Sequence, residues 1–168
     1  MVIARAETIR LAKRIINLDT EVAENTRTLT KLIQQSHAKV LLARVGVGPV
    51  TAAVVMAAWS HQGRLRDEAA FASLAGVNPI PASSGNTVRY RLNRGGDRRL
   101  NRALHMAVIT RMTHDPETRT YVARRRAKGR TTREIRRILK RYLARKLFRD
   151  LNSTASAETE SHPATTAA

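Results

Sequence analysis

Near the start of the chain, Leu11, Ile15, Leu18, Val22, Asn25, Leu29 and Leu32 recur at alternating spacings of four and three, and no glycine or proline lies between them. A repeat of this period places all seven side chains on one stripe of an α-helix, whereas a strand would scatter them over both faces. The spacing predicts a long helix over 1–39 with a coiled-coil seam. Its partner is either another helix or the body of its own domain. Asn25 within the seam favours one register at some cost in stability.

The rest of the chain must supply the core. The apolar fraction is 42% and the aromatic fraction only 4%, which suits helices packed through Ala, Leu, Val and Ile better than an aromatic sandwich of strands. At 168 residues there is room for one core and an appended element. The predicted class is mainly α, with the heptad helix at 1–39, a compact domain at 40–151 and a disordered tail at 152–168, where Ser, Thr, Ala and Glu lack apolar periodicity. The absence of cysteine excludes disulfides and thiolate zinc sites. No run of 18 apolar residues and no signal-peptide core is present, so the expected location is the cytoplasm.

Within 40–151 the punctuation is local. Gly46-Val47-Gly48-Pro49 joins two apolar stretches as a helix-hairpin-helix would, with glycine permitting a left-handed turn and Pro49 suiting the first helical position. Free amides at such a helix start can hold a phosphate, though a glycine corner also serves without a ligand. Asp67 caps a short helix that ends at Gly76. Val88, Tyr90 and Leu92 then alternate with Thr87, Arg89, Arg91 and Asn93, predicting a short strand near 87–93 with one arginine-bearing face. Gly95-Gly96-Asp97 opens a helix with an apolar stripe from Leu100 to Val108. Arg98, Arg99 and Arg102 stand at its positive end, an arrangement that a bound anion relieves. A further helix starts near Pro116 and runs into Arg124, Arg125, Arg126, Lys128 and Arg130. Thr131 with Glu134 forms a capping box, opening a helix expected to bury Ile135, Ile138, Leu139, Tyr142, Leu143 and Leu147.

Charge narrows the function. The formal balance is +18, and 21 of the 31 basic residues lie between Asn86 and Arg149, opposed only by Asp97, Asp115, Glu117 and Glu134, for a local balance of +17. A charge this concentrated calls for a polyanion. Most of these residues are arginines, whose planar forks bind phosphates or base edges in bidentate fashion. A membrane surface is the weaker alternative, because few aromatic anchors accompany the basic residues. An RNA-binding factor ranks below DNA, since few aromatic rings are available to stack on unpaired bases.

Candidate chemistry is sparse. The acidic residues are few and sit at caps or on the heptad helix, and His37, His61, His105, His114 and His162 lack ligand spacing, so no metal site is expected within the chain. Ser84 lies in a Ser-Ser-Gly turn followed by Arg89, Arg91, Arg94, Arg98 and Arg99. Guanidinium groups around a hydroxyl can stabilise its attack on a phosphodiester, but the same tripeptide is also a common turn.

The order of blocks carries a resemblance: Leu41-Leu-Ala-Arg-Val-Gly-Val-Gly-Pro-Val-Thr-Ala52, Phe71-Ala-Ser-Leu-Ala-Gly-Val-Asn-Pro79, Ser84-Gly85 and Gly96-Asp-Arg-Arg-Leu100. Over about Val40 to Leu151 it resembles the carboxyl-terminal transposase domain of bacterial insertion-sequence transposases, the bridge-RNA-guided serine recombinases. The heptad helix resembles that family's coiled-coil linker. The resemblance implies Ser84 as the nucleophile, with Ser83 as fallback, acting through a phosphoserine intermediate. It implies DNA and a guide-type structured RNA as partners, and assembly either into homo-oligomers or with a RuvC-like domain that holds Mg2+. That domain's carboxylates are not in this sequence, so the chain alone is expected to be inactive in recombination. Asn101 departs from the arginine expected after Leu100, which removes one phosphate contact.

Overall fold

The computed structural model describes residues 2–83, 86–87 and 89–161. Its architecture is helical, with a small two-stranded ribbon. Helix α1 spans Val2–Gln34, followed by a 3-10 helix at His37–Ala43, α2 at Pro49–Trp59, α3 at Glu68–Leu74, α4 at Arg98–His114, α5 at Pro116–Ala127 and α6 at Thr132–Ser161. Strand β1 (Pro79–Pro81) pairs antiparallel with β2 (Tyr90–Leu92), placing Ile80 opposite Arg91.

The starts of the helices follow from their caps. The Asp67 carboxylate accepts from the Ala70 N–H at 2.7 Å, and that of Asp97 from Leu100 N–H at 2.9 Å. Asp115 receives the N–H and hydroxyl of Thr118. Thr131 and Glu134 close the expected reciprocal box, with Thr131 N–H donating to Glu134 at 2.9 Å and Glu134 N–H to Thr131 Oγ1 at 3.3 Å. Each carboxylate or hydroxyl satisfies amide donors that the first turn leaves without a helical acceptor.

One core joins these elements. α2 crosses α4, while α6 packs on α3, α4 and the 3-10 helix. Trp59, Phe71, Leu41, Leu100, Leu104 and Leu147 are buried at its centre, and Phe71 stacks on Phe148 with ring centroids 5.7 Å apart. The expected stripe Leu100, Ala103, Leu104, Ala107, Val108 is buried throughout. α1 behaves differently. Residues 4–28 are exposed, and only at Ile33 does the helix enter the core. Leu11, Ile15 and Val22 are 53%, 59% and 62% exposed, so the heptad seam lies bare in the isolated chain.

Three expectations need correction. The segment from Asn152 was expected to be disordered, yet α6 continues to Ser161. The reason is tertiary: Leu151 and Ala155, one turn apart, are buried, and the buried Trp59 donates its indole N–H to Asn152 Oδ1 at 2.9 Å. Residues 162–168 of that expected tail lie outside the described residues. Tyr142 was expected in the core but is 51% exposed, its ring set edge-on against Tyr121 at 6.4 Å. Tyr90, Arg91 and Leu92 are all exposed, because a ribbon of two strands has no third layer to cover its apolar face.

Candidate nucleic-acid interface

The cationic site is assembled where α4, the ribbon and α6 meet. Gly96 makes this possible: a Cβ there would fall 2.2 Å from Gly76 N and 2.3 Å from Gly76 Cα, so the two backbones touch at a distance only glycine allows. Gly76 itself has φ +64°, the left-handed form that reverses the chain after α3. Asp97 N–H donates to Leu74 O at 2.7 Å, and Asn93 Nδ2 donates to Ser73 O at 3.1 Å and to Asn78 Oδ1 at 2.8 Å. The end of the ribbon and the start of α4 are thereby pinned to the end of α3.

Asn101 ties in the third wall. Its Nδ2 donates to Ala75 O at 2.7 Å, and its Oδ1 accepts from Lys140 Nζ of α6 at 2.9 Å. The residue that departs from the expected arginine is thus a strut joining α3, α4 and α6, and it positions a lysine. Between these walls lies an open cleft of about 560 Å3, lined by Arg94, Arg98, Arg102, His105 and Lys140 with Gly76, Asn93, Gly96 and Asn101. A neighbouring groove of about 340 Å3 runs between the ribbon and α6, with Val77, Pro79, Leu92 and Ile138 as apolar walls and Arg137 and Arg141 on its rim.

The lining of both cavities contains no Asp or Glu. Among the described residues, carboxylates pair with other arginines: Asp150 with Arg44, Asp115 with Arg111, and Glu68 with Arg145 and Arg149. Those arginines hold the fold together, while no carboxylate lines the cleft beside its cations. Burial first, and then the charges of Arg137 and Arg136, lower the pKa of Lys140. Burial, followed by Lys140 and Arg136, lowers that of His105. A phosphate entering the cleft would relieve this repulsion.

Sequence reasoning named Arg94, Arg98 and Arg102, which the fold brings together. It missed His105, Arg137, Lys140 and Arg141 as members of the site. The available signal was the spacing of Arg133, Arg137, Lys140 and Arg141, which makes one basic stripe on α6. Arg89 and Arg91 are exposed on the ribbon arm, and Arg99 is exposed on α4. Arg124, Arg125, Arg126, Lys128 and Arg130 gather around the α5–α6 turn instead. There Arg125 lies over the Tyr121 ring at 5.2 Å and Arg126 donates to Thr132 at 3.2 Å. At the glycine corner Gly46 has φ +81°, and a Cβ on it would approach Ala107 O of α4 to 2.5 Å; Val47 is buried. The first arm of this expected helix-hairpin-helix is the 3-10 helix, and Val45, Gly48 and Val50 are exposed at the corner. Ser83 is exposed and accepts from Arg89 N–H at 3.4 Å. Ser84 lies outside the described residues.

Residues 38–123, just over half of the chain, match the model of the transposase IS116/IS110/IS902 family. The chain belongs to this transposase family. It is 33% identical over 167 residues to the 42 kDa protein of insertion element IS900 of Mycobacterium paratuberculosis, covering 95% of this chain and 40% of that protein. The 43.6 kDa protein of insertion element IS110 of Streptomyces coelicolor is 36% identical over 118 residues, 67% of this chain and 29% of its own length. The 44.8 kDa protein of insertion element IS116 of Streptomyces clavuligerus is 28% identical over 121 residues, 71% of this chain and 30% of its own. The chain therefore spans well under half the length of these relatives. In this transposase chain the family match holds the ribbon and α4 wall of the cleft, while Lys140 on α6 lies beyond residue 123.

Proposed function

We propose that this chain is the DNA-handling carboxyl-terminal half of an insertion-sequence transposase, which holds a DNA strand in the cleft between α4 and α6. The observation that carries the reading is the convergence of Arg94, Arg98, Arg102 and Lys140 on one carboxylate-free cleft in a chain of a transposase family. Binding to duplex DNA measured across a salt series tests it. A steep fall in affinity with salt is expected, and the absence of binding at moderate ionic strength overturns it. The guide-type RNA of the resemblance is proposed for the same basic surface, so structured RNA is expected to compete with DNA in that assay.

For catalysis we propose Ser84 as the nucleophile, with Ser83 as fallback. Its Oγ gives up a proton and bonds to phosphorus, while one ester bond from that phosphorus to the adjoining sugar breaks and the freed sugar oxygen takes a proton. The phosphoserine preserves the ester for rejoining to a second strand. Arg89 and Arg91 follow the serine on the ribbon arm and are suited to stabilise charge on the phosphoryl oxygens. Mg2+ belongs, in this reading, to a RuvC-like domain; among the described residues no three His, Asp or Glu side chains converge to hold an ion. The chain by itself is expected to bind without recombining. With the RuvC-like domain supplied, wild type is expected to form a covalent protein–DNA adduct, and Ser84→Ala to reduce it by about 100-fold or more. Adduct formation that survives Ser84→Ala but not Ser83→Ala would transfer the role to Ser83.

We further propose that the bare seam of α1 pairs with a second copy of the chain, since Leu11, Ile15 and Val22 are more than half exposed along a helix of 33 residues. Sedimentation is expected to show a dimer at micromolar concentration, and Ile15→Asp with Val22→Asp to return it to monomer. A monomeric wild type that instead associates with the RuvC-like domain through α1 would assign the seam to that partner. No helix of the described residues is long and apolar enough to cross a membrane.

A further inference from the structure

We infer that the apolar groove beside the cationic cleft receives a nucleobase unstacked from the strand bound in that cleft. This deepens the nucleic-acid reading above and rests on it. At about 340 Å3 the groove falls within the size range of small-molecule sites, and its walls are the side chains of Val77, Pro79, Leu92 and Ile138. Leu92 remains 48% exposed on a ribbon that offers no covering layer. Arg94, Asn101 and Lys140 line both the groove and the cleft. A phosphate held by Arg94 and Lys140 therefore places its own sugar and base at the mouth of the groove. The occupant must be apolar in body and anionic at its edge, because the rim is cationic and the lining carries no carboxylate. An extruded nucleotide has both properties, whereas stacked duplex hides its apolar faces.

Two of the groove's three asparagines have their amides engaged within the protein. Asn93 directs its amide to Ser73 O and Asn78 and accepts from Gly95 N–H, and Asn101 is engaged with Ala75 O and Lys140. Recognition then rests on shape, on burial of a ring face and on the cations of the rim.

The test uses the full chain and two DNA duplexes carrying 2-aminopurine, one fully paired and one with the fluorescent base in a single-nucleotide bulge. No aromatic ring lines the groove, so binding of the bulged duplex is expected to raise fluorescence about threefold as the base leaves the stack. The bulged duplex is expected to bind on the order of tenfold more tightly than the paired one. Ile138→Trp and Leu92→Trp each fill the groove from a different wall while leaving every cation in place. Both are expected to abolish the preference for the bulge, with paired-duplex affinity changed by no more than about twofold. Binding without a fluorescence rise, or a bulge preference that persists in both variants, overturns the inference and leaves the DNA-binding reading intact. Failure to bind either duplex overturns both. If a peptide of alternating Asp and Leu binds wild type but neither variant, while bulged DNA shows no preference, the groove is a protein-docking surface and the inference falls.

Discussion

Gly96→Ala is expected to lower the stability of this transposase domain by about 3 kcal/mol or more, a fall of roughly 6–12 °C in Tm for a chain of this size. The added methyl would sit 2.2 Å from Gly76 N, 2.3 Å from Gly76 Cα and 2.8 Å from the Ala75 carbonyl carbon. All three neighbours are backbone atoms, so no side chain can rotate aside and the segments themselves must separate. Separation would break the hydrogen bond from Asp97 N–H to Leu74 O and pull Asn101 from Ala75 O, dismantling the support of Lys140. Gly95→Ala is the matched control. Its methyl would meet Asn93 Oδ1 at 3.6 Å, an ordinary contact, and the change is expected to stay within about 0.5 kcal/mol. Thermal unfolding of the two variants checks this; similar melting temperatures would show that the close approach is not required.

Converting Arg98, Arg102 and Lys140 to glutamine together is expected to weaken duplex DNA binding by about 100-fold near physiological salt. It should also flatten the slope of log affinity against log salt by about 2–3. Each of the three is proposed to neutralise one phosphate, and each phosphate contact accounts for close to one unit of slope through counterion release. The three side chains line one cleft without a carboxylate, so little of the fold's ion pairing is lost with them. The charge-matched comparison is Arg124→Gln, Arg126→Gln and Lys128→Gln at the α5–α6 turn, expected to have a clearly smaller effect. Binding titrations at several salt concentrations measure both. Equal losses from the two triples would mean that net charge, and not this cleft, sets affinity. The first experiment concerns whether the cleft can form, and the second whether it is used.

The positions of the helices were legible because their signals are local. Asp67, Asp97 and the Thr131–Glu134 pair cap the helices they were expected to open, since a cap requires only residues two or three positions away. The apolar stripe of α4 is buried as its spacing required. The helical continuation past Asn152 was not legible, because it depends on Trp59, 93 residues earlier in the chain, donating to Asn152. Tyr142 fits the apolar stripe of α6 by spacing, yet α5 sets Tyr121 edge-on against its ring and leaves it half in solvent. Ser84 was singled out by its Ser-Ser-Gly turn among arginines and by family resemblance.

Periodicity, caps and charge density by themselves determined that this chain is helical, carries a heptad helix near its start and concentrates its arginines after Asn86. They act through neighbours within a turn or through simple summation, and neither requires the chain to be folded. Only the tertiary structure decided which cations share a cleft. Lys140 reaches Asn101 across 39 residues of sequence, and two glycine backbones must touch before the ribbon, α4 and α6 can surround one space. The field at a point depends on distances through the folded body, and no spacing along the chain encodes those distances.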